Sequence, residues 1–580
     1  VVQKLLPFIE NDFAKNEALS DILSAIIVSL EERSEIDVKI NNYLDLVPLL
    51  REVFEKKYKL QAGNNEYVLS IKTIHEKKLR EIFEQIKGKW VIAVDESQHD
   101  SETIINSSVF FRGSLAYGMK ISEKEEEKVL AVLSSFKVSE DIEEVKRKVE
   151  LQTYIQNLLV AIYAVTILAT QGEEIHSVII DGPIIRMLAP FLFVTFSKDE
   201  LEKLFAIDPE LEEKLPESSK VFIPEWKKVI FQSEVLNQKS KPVNFNVFEI
   251  AAGRLLSYIE KSDTYRKIIK NIKKRNEFSQ GKLSNFKREV TSGKRYPGLA
   301  VYFFLLRILI DLSKELGFLL ISCVKSSERS TEFLRVYYLQ ALARYLEENK
   351  FSSLFEKIKE VSGIKNFQPK SFLEEGKLEK VFLEYGLRDD YIITFSLDFN
   401  ENSANYISPL EIRRYRSRRI NREEIFERED SEYQMFNMQF GSANEGQETW
   451  LEKILLREIL NHREYKFLMT YVRTTEVKFP LRIEFPSHLE SKTEEIVGSI
   501  YLFSAPYRHY GIPIMLKYVD ELVRISTGTI QTLAGWLIKE RMIAELMNKE
   551  LKDKMTIKQV INELLGIIKR DFYSRGGTRL

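Results

Sequence analysis

An α/β fold with a mixed central sheet follows from two observations on the 580-residue sequence. At Trp90 the period of the apolar residues changes from the three-and-four spacing of helices to the alternation of strands. Two apolar runs, "VIAV" and "SVII", then each end on an acid, Asp95 and Asp181, with one long helical stretch between them. Strands that carry acids at their carboxyl ends, separated by a helix, describe a sheet whose ligand site lies at those ends.

Taken in order, residues 1–88 read as amphipathic helices, such as "LSDILSAIIVSLEERS" and "LVPLLREVFEKKY", and form an N-terminal helical layer. "WVIAVDES", "SSVFFRGSLAYGMKI" and "KVLAVLSSFKV" are three β-type runs joined by brief polar links, as in an antiparallel meander. Residues 141–171 contain no Gly or Pro and predict one long helix ending before Gly172. "SVIIDG" comes next as a fourth strand, parallel to the first through a right-handed crossover. Beyond Pro183, residues of about 186–298 are mostly helical and include the basic stretch from Tyr265 to Arg295, read as an insertion or mobile arm. "GLAVYFFLLRILIDLSKELG" is a buried helix and "FLLISCVK" a fifth strand ending on Lys325. Residues 330 to about 388 read as helical, "DDYIITFSLDF" as a strand, and 400–460 as polar and Arg-rich. "YKFLMTYVRT" and "VKFPLRIEFP" look like a late hairpin, with helices to the C-terminus. The boundaries are 1–88 for the helical region, 89–530 for the main domain with insertions at about 186–298 and 330–460, and 531–580 for C-terminal helices.

Composition limits the function classes. The 86 basic and 87 acidic residues nearly cancel, so a nucleic-acid partner would be met by local patches. The single cysteine, Cys323, excludes a disulfide framework and a multi-thiolate zinc site, and fits a reducing cytoplasm. The six histidines are scattered, with no His-Glu-x-x-His spacing, so oxygen-ligand metals are favoured. No signal-peptide pattern is present and no apolar run reaches the ~20 residues of a membrane span, so a cytoplasmic protein is expected.

Strand, strand, strand, helix, strand, helix, strand, with acids ending the first and fourth strands, is the order of the ribonuclease H-like fold: a mixed sheet flanked by helices, here with large helical insertions. Phosphodiester cleavage explains the acids, because two divalent ions about 3.5–4 Å apart need carboxylates to hold them. Taken alone, Asp181-Gly182 reads as a tight turn. Two aspartates are too few, so a third acid is sought on the crossover helix, where Glu150 lies beside Val149 and Leu151. Glu143 and Glu144 are nearer the helix start, where acids serve the dipole. By itself Glu150 reads as a solvated helix face, and only the flanking aspartates lift it above that reading.

"VIAVDES", "VIIDGPI", "LRIEFP" and "YGIPIMLKYVDELVRIS", in that order, resemble the NurA family of DNA-end-processing nucleases. The resemblance implies a Mn²⁺- or Mg²⁺-dependent DNA nuclease, of 5′–3′ exonuclease and single-strand endonuclease type. It further implies a homodimer acting in end resection on a hexameric HerA-type ATPase. Carried over, Asp95, Glu150 and Asp181 are metal-binding and catalytic, Lys325 faces the substrate phosphate, and Arg482 and Glu484 support the site. The chain departs from the pattern twice. Asp-Gly-Ser on the first strand becomes Asp95-Glu96-Ser97, and Gly-Tyr-Pro and Ala-His become Gly511-Ile512-Pro513 and Val519-Asp520. Asp520, one turn beyond Leu516, would complete an all-oxygen site suited to Mg²⁺; the bland alternative is a surface acid paired with Lys517 or Arg524.

Two basic segments could meet DNA: Lys273, Lys274, Arg275, Lys287 and Arg288, and the run Arg413, Arg414, Arg416, Arg418, Arg419 interleaved with Tyr415. The second is equally a solvated face paired with "EEIFERED". Two other readings stand beside the nuclease: a catalytically silent NurA-like scaffold docking on the translocase, and an Argonaute PIWI-type nuclease. The latter expects several hundred residues before the first catalytic strand, where about 88 are found.

Overall fold

The computed structural model describes residues within 46–523; residues 1–45, 206–258, 413–465 and 524–580 lie outside the described residues, as do shorter stretches between them. Three long strands, β4 (Trp90–Ile104), β5 (Ser107–Lys120) and β6 (Glu126–Ser139), pair antiparallel as the expected meander. A crossover helix, Ile142–Thr170, leads to β7 (Ile175–Asp181), which pairs parallel to β4. β10 (Leu319–Val324) adds in parallel to β7, and β14 (Leu481–Pro486) adds antiparallel to β10. β13 (Phe467–Val472) completes the late hairpin with β14.

The sheet continues through β11 (Ser403–Ile407) to β3 (Ile71–His75), with β12 (Leu410–Glu411) paired beside β13, so among the described residues ten strands share one mixed sheet. Smaller pairs are formed by β1 (Lys59–Ala62) with β2 (Asn65–Val68), and by β8 (Thr195–Ser197) with β9 (Arg295–Pro297). The central strands are apolar on both faces because both are covered: Val91, Ile92, Ala93 and Val94 are all fully buried. On one face lie the crossover helix and the apolar helix Gly298–Leu316; on the other, the helix Ile514–Val523, the last one described, packs across β4 and β5.

The described N-terminal residues depart from the expected helical layer. Lys59–Val68 is a hairpin with two residues between its strands, and Ile71–His75 is an edge strand of the main sheet. One hydrophobic core runs from Leu46 to Val523, so the described residues before β4 share a single core with the main domain. "DDYIITFS", expected as a strand, is the helix Asp389–Ser396. Short apolar runs are ambiguous in period, and here two acids in the first turn complement the helix dipole.

The basic stretch is no arm where it is described. Helices Asp263–Lys274 and Lys282–Thr291 bury Ile268, Ile272 and Phe286, and the first presents Lys267, Lys270, Lys273 and Lys274 outward. The crossover helix also corrects the expectation about apolar runs: Lys146–Ala169 is long and apolar enough to cross a membrane by length and composition, yet 94% of that window is buried inside the fold.

Candidate active site

Register places the first two acids. β4 and β7 pair Ala93 with Ile179 and Val94 with Ile180, so Asp95 and Asp181 occupy the next positions, side by side on one face. β10 aligns Cys323 with Asp181, which puts Lys325, two residues on, over the same face. Lys325 Nζ lies 2.7 Å from Asp181 Oδ2 and 3.8 Å from Asp95 Oδ2. Asp95 is 4% exposed, and its Oδ2 is buried without a hydrogen-bond partner.

Electrostatics follow from this crowding. Burial, and then the charge of Asp181, push the Asp95 carboxyl well above the usual carboxylate range despite the nearby Lys325. Burial pulls Lys325 down, but the charges of Asp181 and Asp95, with a contribution from Asp520, outweigh it and hold the ammonium above its ordinary value. Asp520 therefore belongs to the same electrostatic neighbourhood. Its helix is seated by Tyr518, which meets Tyr117 edge-on with ring centroids 6.2 Å apart. Tyr117 is the lateral neighbour of Ala93, so this helix covers the face that Asp95 occupies. Lys517 pairs with Glu521 at 3.8 Å, and Arg524 lies outside the described residues.

Glu150 lies elsewhere in the local geometry. It accepts a hydrogen bond from Tyr154 Oη on its own helix (2.7 Å), and no hydrogen bond or ion pair joins it to Asp95 or Asp181. Seven residues on, two helical turns along the same helix face, Asn157 Nδ2 donates to Glu96. Strand alternation explains this second carboxylate: Glu96 points away from Asp95, toward the crossover helix. The acid that stands where the family pattern has glycine is thus taken up on the opposite face. Alternation alone would have indicated as much from the sequence.

The turn after Asp181 is held from several sides. Gly182 adopts φ of +79°, a conformation that favours glycine. Its N–H donates to Cys323 O at 2.9 Å, and Ser322 Oγ donates to its carbonyl. Glu484, fully buried, accepts from the Ile184 N–H at 3.0 Å, and Arg482 joins Glu484 and Glu332 at 2.8 and 2.9 Å. Farther along, Gly511 has φ of +68° and lies against Thr475, while Thr474 Oγ1 donates to its carbonyl at 2.6 Å. That contact anchors the entry into the helix bearing Asp520.

Hard oxygen donors and an orphaned buried carboxylate oxygen fit a divalent cation at Asp95 and Asp181. Among the described residues no three His, Cys, Asp or Glu side chains converge closely enough to hold a metal ion, and Lys325 is the cation beside the pair. Burial pushes the described His176 down to about 3, and its ring packs edge-on to Phe503; His462 and His509 lie outside the described residues. Of the basic residues, Lys273, Lys274 and Arg288 are exposed and Lys287 is half-buried on the packed helices. Arg275, Arg413, Arg414, Arg416, Arg418 and Arg419 lie outside the described residues.

The family model for the NurA domain matches residues 89–525, most of the chain. The chain belongs to the NurA family. The NurA match begins just before β4 and ends two residues beyond the helix Ile514–Val523, so it spans every residue of the constellation. Three solved NurA structures are similar to it. The crystal structure of the NurA nuclease from Sulfolobus solfataricus is 12% identical, with a TM-score of 0.38, covering 89% of this chain and 98% of that one. A crystal structure of NurA with manganese is 14% identical, with a TM-score of 0.27, covering 78% and 92%. A further crystal structure of NurA is 14% identical, with a TM-score of 0.30, covering 90% and 99%. No curated protein matches the chain.

Proposed function

We propose that this NurA-family chain is a divalent-metal-dependent DNA nuclease that acts on DNA ends and single strands. The observation that carries the reading is the pair of strand-end aspartates, Asp95 and Asp181, crowded on one face with Lys325 between them. Asp95 and Asp181 would hold Mn²⁺ or Mg²⁺, with Asp520, on the helix that covers their face, as a further carboxylate; Glu150 is bonded to Tyr154 on the crossover helix and is not assigned to that site. Bound there, such ions supply the Lewis acidity that activates water and neutralises the leaving oxygen.

The chain's own residues do the rest. Asp181 is kept aimed by its clamped turn, and Lys325 offers a cation on the phosphate side of the acids once it exchanges partners. The exposed lysines of Asp263–Lys274 and the exposed Arg288 of the next helix give a local positive surface for the DNA backbone in a chain whose overall charge is close to zero. End processing by 5′–3′ exonuclease and single-strand endonuclease cleavage, a homodimer, and docking on a hexameric HerA-type ATPase complete the proposal and rest on family membership. Incubation of linear and single-stranded DNA with Mn²⁺, Mg²⁺ or EDTA tests the activity. Co-purification with such an ATPase and mass measurement test the assembly. Intact DNA under every metal condition would favour the scaffold reading.

A further inference from the structure

We propose that Glu484 is a positioning residue that sets the direction of Asp181 by clamping the turn Gly182–Ile184. The inference rests on the nuclease reading, because it assigns Asp181 the work of holding a cation. Glu484 reaches the turn from β14, two strands away from β7, with β10 between them. Its Oε2 takes the Ile184 N–H at 3.0 Å, while Tyr302 Oη donates to the Ile184 carbonyl at 2.7 Å. Both backbone groups of Ile184 are therefore held by buried side chains, and Gly182 is fixed to β10 at the same time. A turn with its polar groups satisfied in one arrangement leaves Asp181 little freedom at its base.

The charge arrangement explains why an acid is used. Arg482 is buried between Glu484 and Glu332, so the Ile184 acceptor is itself held by an ion pair at 2.8 Å, while the guanidinium donates a hydrogen bond to Glu332. Glu332 lies shortly after β10, on the stretch that leaves Lys325. One guanidinium thus ties the turn behind Asp181 to the chain that carries Lys325. Removing Glu484 leaves Arg482 hydrogen-bonded to Glu332, so the loss falls on the turn and not on an unpaired guanidinium.

The test compares Glu484→Gln, which keeps an acceptor for Ile184, with Glu484→Leu, which does not. Hydrogen exchange over residues 182–184, calorimetric Mn²⁺ titration and steady-state cleavage are read on each full-length variant. In Glu484→Leu, exchange should quicken, the Mn²⁺ dissociation constant should rise ~10–100-fold, the range for partners that orient a ligand, and kcat should fall with KM for DNA unchanged. Glu484→Gln should restore all three toward wild type. If Glu484→Leu fails to fold, Tyr302→Phe, which frees the Ile184 carbonyl, should show the same pattern more weakly. Wild-type exchange and Mn²⁺ affinity in the folded Leu variant, or in Tyr302→Phe where that stands in, would overturn the clamp. A wild-type protein that binds no Mn²⁺ would instead overturn the nuclease reading, and the exchange data would still judge the clamp.

Discussion

Lys325 Nζ lies 2.7 Å from Asp181 Oδ2 and 3.8 Å from Asp95 Oδ2, so one ammonium offsets two crowded carboxylates. Replacing it by Met should destabilise the protein in EDTA at neutral pH, by less than the ~3–5 kcal/mol of a fully buried pair because Lys325 is 28% exposed. Its raised folded value means that the stabilisation is fully present below the ordinary lysine value and is lost as pH rises through the folded one. Denaturation of wild type and Lys325→Met across neutral and alkaline pH should therefore converge only at the alkaline end. Equal stability at neutral pH would mean that the ion pair contributes nothing.

Asp95 should behave in the opposite sense. A carboxyl raised by burial and by Asp181 favours folding fully only below its ordinary value, and that contribution is lost as pH rises through the folded value. Asp95→Asn should then be at least as stable as wild type in EDTA at neutral pH, with the advantage shrinking toward strongly acid pH, while losing metal-dependent cleavage. Denaturant titrations at the two pH extremes check this. A variant markedly less stable at neutral pH would show that the ionised carboxylate supports the fold.

Asp520 contributes to the field at Lys325 from the helix Ile514–Val523. Asp520→Asn should weaken divalent-ion affinity and slow cleavage severely, whereas Asp520→His should keep activity and shift preference from Mg²⁺ toward Mn²⁺. Metal titrations of both variants read this directly. Unchanged affinity and rate in Asp520→Asn would make it a plain surface acid.

The exposed lysines of the helix Asp263–Lys274 should touch DNA through phosphates. Lys273→Ala with Lys274→Ala should weaken binding to all sequences alike and reduce the salt dependence by ~0.9 in log–log slope per lost duplex phosphate contact. Binding isotherms over a salt series measure it. An unaltered slope would place the DNA elsewhere.

Much of this arrangement was legible because strands ending on acids announce themselves locally: the meander, the crossover, β7 and β10 lie close to the expected positions, and register alone sets Asp95 beside Asp181. The misreadings share a cause. The strands at 59–75 and the helix Asp389–Ser396 are short, and their period is decided by distant partners, β11 for Ile71–His75 and the Phe333 and Leu334 amides for Asp389. Glu96 was seen as a lost glycine, whereas strand alternation sends it to Asn157 on the other face. The Glu484–Ile184 clamp joins residues 300 positions apart, and no local pattern carries such a contact.

Cleavage of linear and single-stranded DNA by wild type and Asp181→Asn, each in Mn²⁺, Mg²⁺ and EDTA, tests the central claim most directly. The two-carboxylate site predicts cleavage by wild type with either metal, none in EDTA, and none by a folded Asp181→Asn under any condition. Wild-type cleavage rates in Asp181→Asn, with contaminating nuclease excluded, would contradict it.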